Sequence, residues 1–348
     1  MRAYIVRRLL SGVVLVFAIT LVTFAVFRLI PQVPACIVVP CGPHTTTNDA
    51  QIRAANHRIG ADQPIVVQYG KFVWRIVRHG SFGGSWAGLP IDSTLRASLP
   101  PTISILAGGV VLLILLSVPL AVVSALRAHE AIDRAVLAFA LFGIALHPFV
   151  IGLGLRKAFA EHLHLVPYSG YCHLVHVHAP PQPTNVAPQF LPPPPCGGPA
   201  AWAHHLILPW LTFAIFFLPL YTRMIRTRLL ETIDEQHVVT ARAKGASELR
   251  VVLRHVLRPA LLPLVTMIGM DLGAALTAAI YIETIYGFSG LGALMLSTLS
   301  NITGTFDLPV IGAIFFVVAT TIVLLNLVVD LLYTWLDPRI RLVRPATA

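Results

Sequence analysis

The chain has 348 residues, of which 56% are hydrophobic and 11% charged, with a mean hydropathy of +0.78. A soluble fold of that composition lacks the polar atoms to cover its surface, so the sequence reads as an all-α polytopic membrane protein. The formal charge of +10 comes from 25 Lys and Arg against 15 Asp and Glu, and the basic residues lie between apolar runs instead of on one soluble face, which excludes a nucleic-acid groove binder. An intrinsic ATPase is excluded as well. A phosphate-binding loop needs Lys followed by Ser or Thr, whereas Lys71, Lys157 and Lys244 precede Phe72, Ala158 and Gly245.

A helix crossing the hydrocarbon core needs roughly 20 apolar residues, and six runs meet that length with at most one charge. Residues 1–30 hold a short tail and the first span, Leu9 to Ile30, with Arg28 close enough to its end to snorkel. Residues 31–99 form a long loop. Residues 100–160 carry the second span, Thr102 to Leu126, and the third, Ala135 to Leu155, where His147-Pro148 predicts a kink. A Pro- and His-rich flap, 161–202, precedes the fourth span in 203–222, and a basic loop follows at 223–259. Residues 260–331 hold the fifth span, Ala260 to Ile282, and the sixth, Leu308 to Val329, before a tail at 332–348. The first span opens on Arg7-Arg8 like a signal peptide. Its apolar stretch is about twice the usual signal core, and Pro31 follows with no small-x-small site, so it reads as a retained anchor.

Charge placement gives the orientation. Arg2, Arg7 and Arg8, then Arg127 and Arg134, then eight basic residues from Arg223 to Arg258, then Arg339, Arg341 and Arg344 all fall on one side, while Thr284 to Asp307 has no Lys or Arg. Most of the remaining basic residues lie in the 31–99 loop, which is long enough to escape the positive-inside rule. Both termini are therefore expected in the cytoplasm.

On the outer side, Asp49 to Gly60 and Pro64 to His79 have apolar residues at helical spacing and are expected to form short helices lying on the membrane. All four cysteines lie in the two outer loops, where disulfides persist. Four cysteines allow three pairings. The local one, Cys36 with Cys41 and Cys172 with Cys196, keeps each pair within one loop. The flap also holds His162, His164, His173, His176 and His178, with His204 and His205 beyond it. Their spacing fits no defined ligand set, so they read as solvated side chains and no metal is assigned.

On the inner side, Leu229 to Lys244 lacks Gly and Pro and reads as a helix, and Gly245 breaks it. Ser247 then offers an N-cap, with Glu248 in the first turn of a second helix running to about Arg258. Two short helices in a corner make a knob suited to a cleft on another protein; the plainer reading is an interfacial connector. Within the spans Asp271 stands out, flanked by Gly269, Gly273, Ala274 and Ala275. An ionised Asp at that depth costs about 2.5 to 3.5 kcal/mol on an insertion scale, so it is expected to face protein or a lumen. Either it bonds a polar group on another helix or it lines a pore.

These residues resemble a family. Thr240-Ala241-Arg242-Ala243-Lys244-Gly245, followed by Leu253-Arg254-His255 and Pro263, is similar to the coupling loop of dipeptide/oligopeptide-class permeases of binding-protein-dependent ABC importers. Tyr4 to Leu10, Ile282-Glu283-Thr284 with Phe288 to Gly292, and Asn326 to Asp330 continuing to Leu336-Asp337-Pro338-Arg339 extend the likeness from end to end. The insertion Cys172 to Cys196 lies outside the family pattern. The resemblance implies a type I importer permease architecture with six transmembrane helices. It also implies ATPase coupling through Thr240 to Gly245 with His255, and a pathway in which Asp271 is a candidate. Expected partners are a second homologous permease subunit, two cytoplasmic ATPase subunits, an extracytoplasmic substrate-binding protein and membrane lipid, with no nucleic acid. No cofactor is expected in this chain, ATP and Mg belonging to the ATPases. Peptides are the usual cargo of the class, and nickel and some sugars use close relatives. A self-sufficient transporter or channel would show inverted repeats or several intramembrane charges, and a membrane enzyme would show a motif such as His-Glu-x-x-His; neither pattern is present.

Overall fold

The computed structural model describes residues 2–29, 33–39, 48–88, 90–144, 146–175, 196–299 and 306–336. Among them there is no β-strand, only two isolated bridges, and the chain is built of helices. In order these are α1 (Arg2–Leu29), α2 (Asp49–Ile59), α3 (Ile65–His79), α4 (Ile91–Leu126), α5 (Ala131–Ile144), α6 (Pro148–Leu155) and α7 (Pro199–Ile233). The remainder are α8 (Gln236–Ala243), α9 (Glu248–Val251), α10 (Leu257–Ala260), α11 (Leu262–Met270), α12 (Leu272–Tyr286), α13 (Leu291–Leu299) and α14 (Leu308–Leu336). By length and composition α1, α4, α7 and α14 each suffice to cross a bilayer, and two bent pairs raise the total to as many as six.

Where the structure departs from the expected spans, proline and charge explain it. Helix α4 starts well before Thr102 and passes through Pro100 and Pro101, which a membrane helix accommodates when neighbouring groups take up the freed carbonyls. Helix α7 runs past Thr222 to Ile233, because no Gly or Pro stops it and only the arginines had marked an end. The expected third span is two helices: α5 ends at Ile144, and His147 caps α6, its Nδ1 accepting from the Phe149 N–H at 3.2 Å. The expected uninterrupted fifth span, Ala260 to Ile282, is broken at Leu261 and again at Asp271. Pro263 weakens the first junction, and Gly269 and Gly273 the second.

The chain forms two compact units. The first comprises Met1–Pro100, Ile268–Gly273 and Ala293–Ala348. Here α1 packs along α14 with glycines at the contacts: a Cβ on Gly12 would lie 2.4 Å from Val323, and one on Gly312 2.4 Å from Phe24. Helix α2 begins with a capping box in which Asn48 and Gln51 exchange backbone–side-chain bonds of 3.0 Å. Helix α3 docks on α1 through Tyr69, whose hydroxyl donates to the Phe17 carbonyl at 2.8 Å, and through Phe72, which meets the rings of Phe24, Phe82 and Phe316.

The second unit comprises Pro101–Met267 and Ala274–Gly292. Helices α5 and α6 pack on α7, Gly143 against Pro219 and Gly152 against Thr212 and Ile285. Tyr286 ties this core together, its hydroxyl 2.9 Å from Thr212 Oγ1 and 3.2 Å from the Gly152 carbonyl to which it donates. The Arg226 guanidinium grips Asp133 with bonds of 2.6 and 2.7 Å, while Ser124 and the His129 N–H complete that carboxylate's shell.

Candidate coupling knob and buried carboxylates

The segment after α7 folds into the corner expected from Gly245, although α7 stops at Ile233 and α8 begins afresh at Gln236. Helix α8 ends in a Schellman turn: the Ala246 N–H reaches the Ala241 carbonyl at 3.3 Å and the Gly245 N–H the Arg242 carbonyl at 2.9 Å. Gly245 adopts φ +79°, and a Cβ there would meet nothing within 4 Å. Glycine is needed at this position for its backbone conformation and not for want of space.

Across the turn Arg242 holds Glu248 in a fork, with bonds of 3.2 and 2.6 Å. The Arg242 hydrogen bond lowers the Glu248 carboxyl below its ordinary value, and Glu248 raises the guanidinium in turn. Beneath the turn Val238 packs with Val251, Val252 and Val256, all buried. The Val252–Val256 stretch is a π-helical turn, and the His255 carbonyl within it accepts from His237 Nε2 at 3.0 Å. Thr240 returns its hydroxyl to the Gln236 carbonyl at 2.8 Å.

Thr240, Arg242, Ala243, Lys244 and Gly245 are exposed and Ala241 half-buried, so the expected coupling residues gather on one projecting corner. Sequence reasoning missed its apolar side. Val239, Leu249 and Leu253 are 55%, 71% and 54% exposed, between Arg242, Arg250 and Arg254. The available signal was apolar residues at positions that the helical phase turns away from Val238 and Val252.

Asp271 is half-buried in the turn between α11 and α12, beside the exposed Met270, Gly273 and Ala274. A second carboxylate lies one residue beyond the expected span end. Glu283 is fully buried, its Oε1 accepting from Thr102 Oγ1 at 2.5 Å, while that oxygen accepts from the Leu291 N–H at 2.9 Å. A Cβ on Gly290 would lie 2.2 Å from Glu283 Oε1, and one on Gly292 2.9 Å from Oε2. Glu283 and the Phe288 to Gly292 stretch are thus one construction, in which glycine leaves room for a carboxylate. The apolar run ends at Ile282, which leaves Glu283 just outside the expected span.

Cys172 and Cys196 are joined by a disulfide with their Cα atoms 5.1 Å apart. The Gly198 N–H bonds the His173 carbonyl at 3.0 Å next to it. Cys36 is also disulfide-bonded, and its expected partner Cys41 lies outside the described residues. The sulfurs of Cys172 and Cys196 lie close to a ring nitrogen of His205. They are bonded to each other, which leaves one imidazole as a ligand. His205 Nδ1 donates to the Gly170 carbonyl at 2.7 Å and His204 Nε2 to that of Leu165 at 3.1 Å. His176 and His178 lie outside the described residues.

Residues 117–342 match the family described as binding-protein-dependent transport system inner membrane component, and residues 1–88 match the N-terminal region of such membrane components. A probable D,D-dipeptide transport system permease protein of Escherichia coli is 34% identical over 342 residues, covering 97% of this chain and 97% of its own. A probable peptide ABC transporter permease protein of Sinorhizobium fredii is 31% identical across 98% of this chain and 100% of its own. The dipeptide transport system permease protein of Escherichia coli is also 31% identical, over 98% and 99%. In fold the chain resembles the inward-facing MetNI methionine ABC transporter, with a TM-score of 0.51 at 15% identity, covering 71% of this chain and 98% of that one. The chain therefore belongs to the family of inner membrane permease components of binding-protein-dependent transport systems.

Proposed function

We propose that this permease carries peptides, as one of two homologous subunits that together enclose the pathway. Each subunit has six spans, and both termini of this one are cytoplasmic. The peptide assignment is supported by relatives named for peptide or dipeptide transport that align over nearly the whole chain. In this reading the chain holds no cofactor. ATP and Mg stay with two ATPase subunits, and an extracytoplasmic binding protein delivers the cargo. Asp271, with the small exposed residues beside it, lines the path toward the second permease.

The observation that carries the mechanism is the knob. An exposed corner with an apolar side and a basic rim fits a groove in a soluble partner, where burial of Leu249 and Leu253 is worth about 1.5–3 kcal/mol each. When the ATPases close on ATP, the knob moves with their grooves and turns the pathway outward; hydrolysis returns it. The buried valines and the Arg242–Glu248 fork make the corner rigid enough to pass on that motion. The test is Leu249→Asp with Leu253→Asp, measuring ATPase co-purification and peptide uptake at equal permease levels. Loss of both is expected. Wild-type uptake would overturn the coupling role, and uptake of a non-peptide cargo alone would overturn the peptide assignment.

A further inference from the structure

A cavity of about 250 Å³ lies in the first unit, over the C-terminal end of α1 and the N-terminal end of α14. Phe24, Phe72 and Trp86 lie beneath it, the first two almost wholly buried, and its rim carries Arg58, Lys71 and Arg75, so its lining is mostly polar. Lys71 Nζ donates to Gln63 Oε1 at 2.7 Å and Arg75 Nε to the Lys71 carbonyl at 3.3 Å, but among the described residues none of the three cations has a carboxylate partner. The nearby carboxylates are engaged elsewhere. Asp62 pairs with His57 at 2.8 Å and is held below its ordinary pKa by that hydrogen bond. Asp92 accepts from the Phe82 N–H at 2.9 Å, and Asp307 accepts from the N–H groups of Trp86 and Ala87 at 3.3 and 3.4 Å. Three cations thus rim the cavity without an ion pair, although Lys71 acts on the Asp62 carboxylate at longer range.

Depth identifies the occupant. Arg8, paired with Asp330 at 2.7 Å, stands at one end of the α1–α14 pair, and Phe24 stands about 24 Å further along α1 at the helical rise. That places Phe24 at the far edge of a hydrocarbon core about 30 Å thick, with the cations just beyond it at headgroup level. Trp86, an aromatic with a polar N–H, suits the same level. On the opposite flank of α3, Val66, Trp74 and Val77 are 76%, 62% and 70% exposed, which puts this helix among lipids and not in open water.

We propose that this cavity binds the headgroup of an anionic phospholipid. The phosphodiester sits among Arg58, Lys71 and Arg75 in charge-assisted hydrogen bonds, at headgroup depth. The leaflet, the outer one, rests on the orientation proposed above; the site does not.

The experiment uses the assembled transporter in nanodiscs containing phosphatidylglycerol and phosphatidylcholine, with retained lipid counted by native mass spectrometry. The wild type is expected to keep one phosphatidylglycerol through delipidation, with at least tenfold preference over phosphatidylcholine. The Arg58→Gln, Lys71→Gln, Arg75→Gln triple variant should lose it, and Arg78→Gln, one turn beyond Arg75 and outside the cavity lining, should not. All three targets lie at the surface, and an unchanged melting temperature shows the triple variant folded; Lys71→Gln alone, expected to cut retention several-fold, serves if it is not. Equal retention in wild type and variant, or no preference between the lipids, overturns the proposal. Displacement by millimolar inorganic phosphate alone assigns the site to a free anion, and displacement by a dipeptide assigns it to the cargo's carboxylate; either result also overturns it. Peptide uptake is measured in parallel, so a wrong cargo assignment shows up separately from a wrong lipid site.

Discussion

Asp271 and Glu283 show how differently two carboxylates in one apolar stretch are treated. Glu283 is enclosed by Thr102 and two glycines and has no room to meet a passing solute, whereas Asp271 stands half-buried at a helix break. Of the two, only Asp271 has the exposure a pathway charge requires. Asp271→Asn is therefore expected to cut uptake of cationic peptides tenfold or more while assembly and ATP hydrolysis persist, as measured with radiolabelled peptides in proteoliposomes. Unchanged uptake of every peptide tested would make Asp271 a packing residue. The sequence located Asp271 because a lone charge in an apolar run is conspicuous. The break there is marked in the sequence only by Gly269 and Gly273, which weaken a helix without fixing the residue at which it turns. The Gly245 turn was legible because αL geometry is a local demand that glycine meets.

Between elements, a strong polar fastening among the described residues is Asp133 with Arg226, which joins the first turn of α5 to α7. The two side chains are only 2% and 13% exposed, so neither charge can fall back on water if the other is removed. Asp133→Asn or Arg226→Met alone should destabilise the permease by about 3–5 kcal/mol, and the apolar double replacement Asp133→Leu with Arg226→Met should recover much of that, read as unfolding midpoints in detergent. Additive losses would show that the pair is not coupled. The Arg226 hydrogen bonds, the largest influence on it, hold the Asp133 carboxyl well below the ordinary carboxylate range despite burial. Its folded-state pKa is depressed, so the stabilisation is complete above the unfolded value of about 3.9 and is lost only as pH falls toward the folded one. Midpoints should thus be flat from pH 5 to 8. The pairing was invisible in the sequence. Asp133 lies two residues before the expected third span with nothing local to mark it, and its partner is 93 positions away. The hydrophobic runs were legible, but their ends were set by charge and proline, which α4 and α7 carry inside their length.

At the scale of the whole molecule, the proposed orientation rests on the distribution of Lys and Arg, and the proposed coupling requires the knob to face the cytoplasm. A fluorescent protein fused after Ala348 should therefore glow in intact cells, and alkaline phosphatase fused there should be inactive; phosphatase inserted after Gly80 should be active. The opposite pattern would invert the topology and with it the role of the knob. The likeness to the family was readable because its motifs are short and local, but the segment between Cys172 and Cys196 lay outside it. The two cysteines put the ends of that segment 5.1 Å apart, directly before the start of α7. The bond ties the chain covalently at that point whatever number of residues lies between the two cysteines. The cysteine pair is thereby a splice junction, at which a reporter, an affinity tag or a foreign loop can be exchanged for the native residues with its ends held at the spacing α7 requires.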